Sequence, residues 1–269
     1  METTNIGMNR TGAKLSPAGT QAMTEAVNEL APPEPIDNAA TDAERLVYIN
    51  EAESVGSVPP PASVKGVLKA GMAKVKGSHP SVFFDKLGER IAFERGGVRL
   101  YEALIVKHQA VGQMGQEMLP PAEEVMDFSA EGMFLLAPVQ GERPAETLAR
   151  IRGEELEHFH MLCQSMEQLG GDPTAMTPCA DVQATASMGI VQVLTDPRTT
   201  LAQCLNAILT AELTDNAGWE LLITLAEDAG EYELAGRFLG ALAQEQEHVA
   251  VIKGWLTALL SQGAGTPAV

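Results

Sequence analysis

Gly153-Glu154-Glu155-Leu156-Glu157-His158-Phe159-His160 is answered ninety residues later by Gln244-Glu245-Gln246-Glu247-His248. Both copies read Glu-x-Glu-His, so each sets a carboxylate and an imidazole three residues apart, on one side of a helical turn. Each copy also sits in an apolar stripe of helical period. Leu148, Ile151, Glu155, His158, Leu162, Met166 and Leu169 follow at threes and fours, as do Leu234, Phe238, Ala241, Glu245, His248, Ile252, Trp255 and Leu259. An unpaired ionised group in such a stripe is costly, so these side chains must meet counter-charge in the core.

A second repeat precedes each motif. Glu94 is followed at plus seven and plus eight by Tyr101 and Glu102, and Glu212 at the same offsets by Trp219 and Glu220. The chain therefore carries Glu94, Glu155 with His158, Glu212, and Glu245 with His248, in that order. This is the ligand pattern of a two-metal site inside a four-helix bundle. Carboxylate oxygen with imidazole nitrogen suits two iron ions, or alternatively two manganese ions or a mixed pair, and four carboxylates offset two divalent cations. Zinc can occupy such a site adventitiously, since affinity alone does not select the native metal.

The spacing predicts four long helices. The first follows Ser78-His79-Pro80-Ser81 and runs to about Gly112, with an inward stripe of Leu87, Ile91, Glu94, Val98, Tyr101, Ile105 and His108. Gly96 and Gly97 weaken it locally and allow close backbone packing or a departure from regular helix. The second runs from about Pro144 to Leu169 and is stopped by Gly170-Gly171-Asp172-Pro173. The third spans about Pro197 to Ala229, with Leu201, Leu205, Ile208, Glu212, Trp219, Ile223 and Ala226 inward. The fourth spans about Glu231 to Leu260, with a tail from Ser261. Glu212 and Glu245 are 33 residues apart, so an antiparallel hairpin turning near Gly230 returns them to one level. Glu94 and Glu155 are 61 apart, so residues 113 to 143 must bulge out as an excursion, where Phe128 to Leu136 reads as a short strand or apolar flap. The link from Gly171 to Asp196 is long enough to run back along the bundle, which makes the second and third helices parallel neighbours.

The expected fold is therefore all-α: an antiparallel four-helix bundle over residues 81–261 with a long crossover, an N-terminal extension with short helices over 1–80, and a flexible tail over 262–269. The extension holds helical stretches near Ala22 to Leu30 and Ala40 to Ala52, and Pro59-Pro60-Pro61 breaks the chain after them. Ala62 to Val75, with Lys65, Lys69, Lys74 and Lys76, reads as a surface helix whose lysines bridge to carboxylates. Its alternative is a contact for an acidic partner, including a second copy.

Composition narrows the function classes. Lys and Arg number 18 against 36 Asp and Glu, a formal charge of -18, which speaks against nucleic acid or an anionic membrane as partner. No apolar run is long enough to span a bilayer, and Met1-Glu2-Thr3-Thr4 lacks a secretion signal's basic flank, so the expected location is cytoplasmic. Cys163, Cys179 and Cys204 have neither disulfide nor metal-site spacing.

Several neighbours of the motifs have weaker readings. Glu102, Glu157, Glu220 and Glu247 turn to the outer faces; Glu154 does too, and is the substitute ligand if the second helix is shifted in register. His160 is solvated or near an interface. Asp215 is a candidate to hold a ligand histidine's tautomer, and Tyr101 a candidate to hydrogen-bond a ligand, carry an electron or fill space.

On these residues the chain resembles the ferritin-like superfamily of di-iron and di-manganese carboxylate proteins, and within it rubrerythrins and bacterioferritins, which have histidine in both Glu-x-x-His motifs. The resemblance covers about residues 82 to 261 and is interrupted by the excursion. It lacks the cysteine-rich module of rubrerythrins, and the long first connection is unlike that of a storage cage. It implies an oxidoreductase acting on a small oxidant, oxygen or peroxide, with Glu94, Glu212 and Tyr101 as the catalytic candidates, the glutamates as proton relays. Iron sequestration with ferroxidase activity and a mainly structural metal are the alternatives. A homodimer is the expected assembly, through the apolar residues of 128 to 136 or the lysine segment.

Overall fold

The computed structural model describes residues 17–30, 37, 39–52, 80–115, 119–126 and 139–264. Every regular element among them is helical: α1 (Pro17–Leu30), α2 (Ala39–Glu51), α3 (Pro80–Gln113), α4 (Ala122–Val125), α5 (Pro144–Leu169), α6 (Pro178–Thr195), α7 (Leu201–Asp228) and α8 (Tyr232–Ala264). Two units divide the chain, Met1–Ser54 with Thr266–Val269 and Val55–Gly265; α1 and α2 belong to the first, α3 to α8 to the second. The lysine segment and the 128–136 flap lie outside the described residues, and with them the surfaces on which the expected homodimer rests. Among the described residues no helix is long and apolar enough to cross a membrane.

Helix direction follows from two apolar clusters. One gathers Leu100 and Leu104 of α3, Leu148 and Ile151 of α5, Leu201 to Ala211 of α7, and Val251 to Leu259 of α8. The other gathers Phe83 to Ile91 of α3, Leu162 to Leu169 of α5, Trp219 to Ala226 of α7, and Leu234 to Leu242 of α8. Each cluster takes the late half of one partner and the early half of the other in α3/α5 and α7/α8, so both hairpins are antiparallel. It takes matching halves of α5 and α7, so these two run parallel, as the length of their link requires. The ligand motifs occupy the layer between the clusters.

Local chemistry explains the element ends. Gly170, at φ 88°, closes α5 in the left-handed conformation that costs glycine nothing. Gly230, at φ 76°, makes the tight turn from α7 to α8. The third long helix begins at Leu201 and not at Pro197, because Thr200 and Gln203 form a reciprocal capping box there, a device whose loss costs about 1 kcal/mol. The fourth runs on to Ala264, past the expected end at Leu260. On α3 the buried stripe drifts: Gly97, Leu100 and Leu104 are buried, while Val98, Ile105 and His108 are half-buried. A helix of 3.6 residues per turn this long slides off a strict three-and-four pattern.

The crossover is itself helical. α6 packs along α3 and is pinned at both ends: Thr177 Oγ1 donates to the Asp85 carbonyl at 3.0 Å, and Lys107 Nζ donates to the carbonyls of Asp196 and Thr199 at 2.8 and 3.0 Å. Part of the excursion is also placed. Leu119, Ala122 and Met126 are buried in the first cluster, and Trp255 Nε1 of α8 donates to the Pro120 carbonyl at 2.8 Å.

Candidate metal centre

All six expected ligands converge. Glu94 comes from α3, Glu155 and His158 from α5, Glu212 from α7, Glu245 and His248 from α8, and none is more than 3% exposed. Three sets of their donor atoms lie within 4.8 Å of one another: Glu155, Glu212, Glu245 and His248; Glu94, His158 and Glu245; and Glu94, Glu155, Asp215 and Glu245. Glu245 belongs to all three, so its carboxylate stands between the two histidines. Asn216 Nδ2 fastens α7 to α8 at this level by donating to the carbonyls of Glu212 and Glu245 at 3.0 and 3.1 Å.

Each histidine turns Nδ1 inward and is held from outside by Nε2. His248 Nε2 is 2.9 Å from Glu154 Oε2, and His158 Nε2 is 2.9 Å from Gln244 Oε1. Both outer partners can accept a hydrogen bond from Nε2–H, which leaves Nδ1 facing the cluster. Glu154 is thus neither solvated nor a substitute ligand; it orients His248. It is tied to Arg150, whose guanidinium also holds Glu142 and Glu247. Glu247, expected on an outer face, does turn away from the cluster, but it is buried against Arg150. Glu102, Glu157, Glu220 and His160 are exposed as expected.

Asp215 does not serve a histidine. It pairs with Arg90, which is buried, donates from Nη2 to Glu94 Oε1 at 2.8 Å, and lies 4.3 Å from the centre of the Phe93 ring. Arg90 is absent from the sequence reading, although its place four residues before Glu94 is a readable helical ion-pair signal. Gln244 and Arg150 carry weaker signals, being ordinary polar residues until the fold supplies their partners. Tyr101 donates its phenolic hydrogen to Glu212 Oε1. Burial first, then the neighbouring Glu212, pushes its pKa well above the ordinary value, so it remains a donor. Trp219 packs edge-on against His158 at 5.5 Å.

The residues fit a pair of cations on three counts. Arg90 is shared between Asp215 and one oxygen of Glu94, so no guanidinium or ammonium group pairs with Glu155, Glu212 or Glu245 among the described residues. Glu94 Oε2, His158 Nδ1, Glu212 Oε2 and Glu245 Oε1 are buried without a hydrogen-bond partner, and such orphans are rare without a reason. His158 Nδ1 and Glu245 Oε1 are 2.7 Å apart yet not aligned as a hydrogen bond, so the contact is one of charge, as between two ligands facing a common ion. Finally, a Cβ at Gly97 would fall on the Glu155 carboxylate, so the backbone of α3 has been thinned to seat that group.

Electrostatics show the same demand for positive charge. Burial, reinforced by Glu245, raises Glu155 well above the carboxylate range and Glu212 to about 8. For His158 burial works downward and is overcome by Glu245 and Glu94, which raise it to about 11; His248 is raised well above its usual value against the same opposition. Glu245 is lowered despite burial, because the two histidines flank it. Each raised value favours the protonated form, as expected where buried carboxylates crowd together without enough positive charge.

Among known proteins, the model of the Ferritin-like domain matches residues 139–260. Comparison with curated proteins and with solved structures gave no match. The matched span contains α5 to α7, α8 up to residue 260, and five of the six converging residues, while Glu94 stands on α3, outside it. With an all-helical bundle and two Glu-x-x-His motifs meeting at its centre, this match makes residues 139–260 similar to the Ferritin-like domain and supports the resemblance to the ferritin-like superfamily.

Proposed function

We propose that the chain is a di-metal carboxylate oxidoreductase acting on oxygen or peroxide, holding two iron ions, with two manganese ions or a mixed pair as the alternative. The carrying observation is the convergence of four buried glutamates and two inward Nδ1 atoms on a layer walled by apolar clusters. Glu94, Glu155, Glu212, Glu245, His158 and His248 would hold the ions. Bound there, the metals would supply changes of oxidation state and Lewis acidity.

The protein's own residues supply the rest. Arg90 holds one oxygen of Glu94 and leaves the other turned to the cluster. Tyr101 does the same for Glu212, and with Glu94 this glutamate is the proposed proton relay. Glu154 and Gln244 fix the histidine rings, and the leucines, Trp219 and Trp255 keep bulk water away.

Elemental analysis of protein purified without added metal or chelator, paired with oxygen- and peroxide-consumption assays, tests this. About two iron or manganese ions per chain, with consumption that scales with occupancy, supports the oxidoreductase. Iron uptake far beyond that ratio without turnover would assign storage. Failure to take up metal, with stability indifferent to chelator, would remove a metal role altogether.

A further inference from the structure

A second candidate site lies away from the metal layer. Between α3 and α6, and touching α7 at Ala211, is an open cleft of about 230 Å³. Its α3 wall carries Arg95 and Arg99. At about 100° per residue these two lie roughly 100° and 140° around α3 from Glu94, so they face away from the metal layer. The opposite wall is α6, an 18-residue helix with Asp181 as its single charged residue. Only Ala180 and Leu194 of α6 are buried; Met188 and Val191 line the cleft and remain 58% and 49% exposed. Among the described residues nothing covers this apolar helix beside the cavity.

The arginines identify the class of that group. Neither has an ion-pair partner among the described residues, in a chain of 36 Asp and Glu against 18 Lys and Arg. Two guanidiniums four residues apart form adjacent planar forks that match a carboxylate, and the apolar wall beside them matches a hydrocarbon tail. The volume also suits: an apolar cavity of about 150 Å³ accepts benzene, so this cleft has room for a short alkyl chain. We propose that the cleft binds a small alkyl monocarboxylate, with its headgroup on Arg95 and Arg99 and its tail along Ala180, Met188 and Val191. This site is independent of the metal chemistry.

Isothermal titration of the full chain with octanoate, octanol and octyltrimethylammonium tests it. Octanoate is expected to bind once per chain, with octanol and the cation at least about tenfold weaker. The Arg95→Gln/Arg99→Gln double variant should lose a similar factor, and Val191→Trp should block the cleft, both with unchanged metal content and melting temperature. Equal binding of octanol and octanoate, or octanoate binding untouched by both variants, would overturn the proposal. So would sedimentation showing a dimer that octanoate does not disturb and that Val191→Glu dissociates, since the cleft would then be a contact between copies.

Discussion

Glu154 Oε2 stands 2.9 Å from Nε2 of His248, on the side of the ring away from the carboxylate layer. An ionised carboxylate only accepts, so Nε2 keeps its proton, and it is the proton on Nδ1 that must leave for the ring to present a lone pair inward to a metal. Arg150 fixes Glu154 in turn, with Nη1 at 3.1 and 3.0 Å from its two oxygens. Glu154→Leu should therefore weaken metal binding by about 10–100-fold without removing a ligand. Glu154→Gln keeps an acceptor and should fall between it and the natural protein. Competition against a chelator of known affinity reads the order, and wild-type affinity in the leucine variant would reduce Glu154 to a partner of Arg150.

The adjacent glycines of α3 make a matched pair. A Cβ at Gly97 would occupy the place of the Glu155 carboxylate, whereas one at Gly96 meets nothing within 4 Å. Gly97→Ala should displace Glu155, lower metal occupancy and cost about 1–3 kcal/mol by overpacking. Gly96→Ala should gain up to about 1 kcal/mol by relieving the helix of a glycine. Thermal unfolding and metal content of both variants check the contrast.

Much of this was legible because helix period and ligand spacing reinforce each other. Every residue of the stripes read on α5, α7 and α8 is buried, and the 33-residue separation of Glu212 and Glu245 does return them to one level. The parallel course of α5 and α7 was readable from link length, but the helicity of the link was not, since α6 buries only two residues and so has little amphipathic pattern. The orienting groups were less visible. Glu154, Gln244 and Arg150 acquire their roles across helices, where sequence spacing says nothing, and Asp215 could be tied to Arg90 rather than to a histidine only once α3 and α7 were set side by side.

Glu212 and Glu247 separate ligand from scaffold. Glu212→Ala should remove one metal position, because it deletes a carboxylate of the four-residue set that includes His248. Glu247→Ala should keep both metals while destabilising the fold by about 1–3 kcal/mol, since its buried carboxylate pairs with Arg150. Tyr101→Phe leaves Glu212 Oε1 without its donor and should lower turnover more than occupancy. Metal content, melting temperature and peroxide consumption, measured on all three, separate these outcomes.

Proton release is the last expectation. Glu155, Glu212, His158 and His248 all have raised pKa values in the metal-free protein, Glu212 to about 8 and His158 to about 11, so burial and the crowded carboxylates favour the protonated form of each. Protons held by these groups stand in for the positive charge of a metal, and ligation requires that they leave. Loading near pH 7 should release several protons per chain, seen as a binding enthalpy that depends on the buffer's ionisation heat, and affinity should fall as pH falls. Stability without metal should show the opposite slope. A group with a raised folded pKa stabilises below its unfolded value and loses that contribution as pH climbs through the folded one. Glu212 thus withdraws support between about 4.5 and 8, and His158 between 6.5 and about 11. Glu245, lowered from 4.5, acts in the other direction only in acid. The melting temperature of chelated protein should therefore drop from about pH 5 to about pH 9, and metal should restore it most at the alkaline end. A chelated protein that gains stability over that range would mean that the four groups are not holding protons in place of metal.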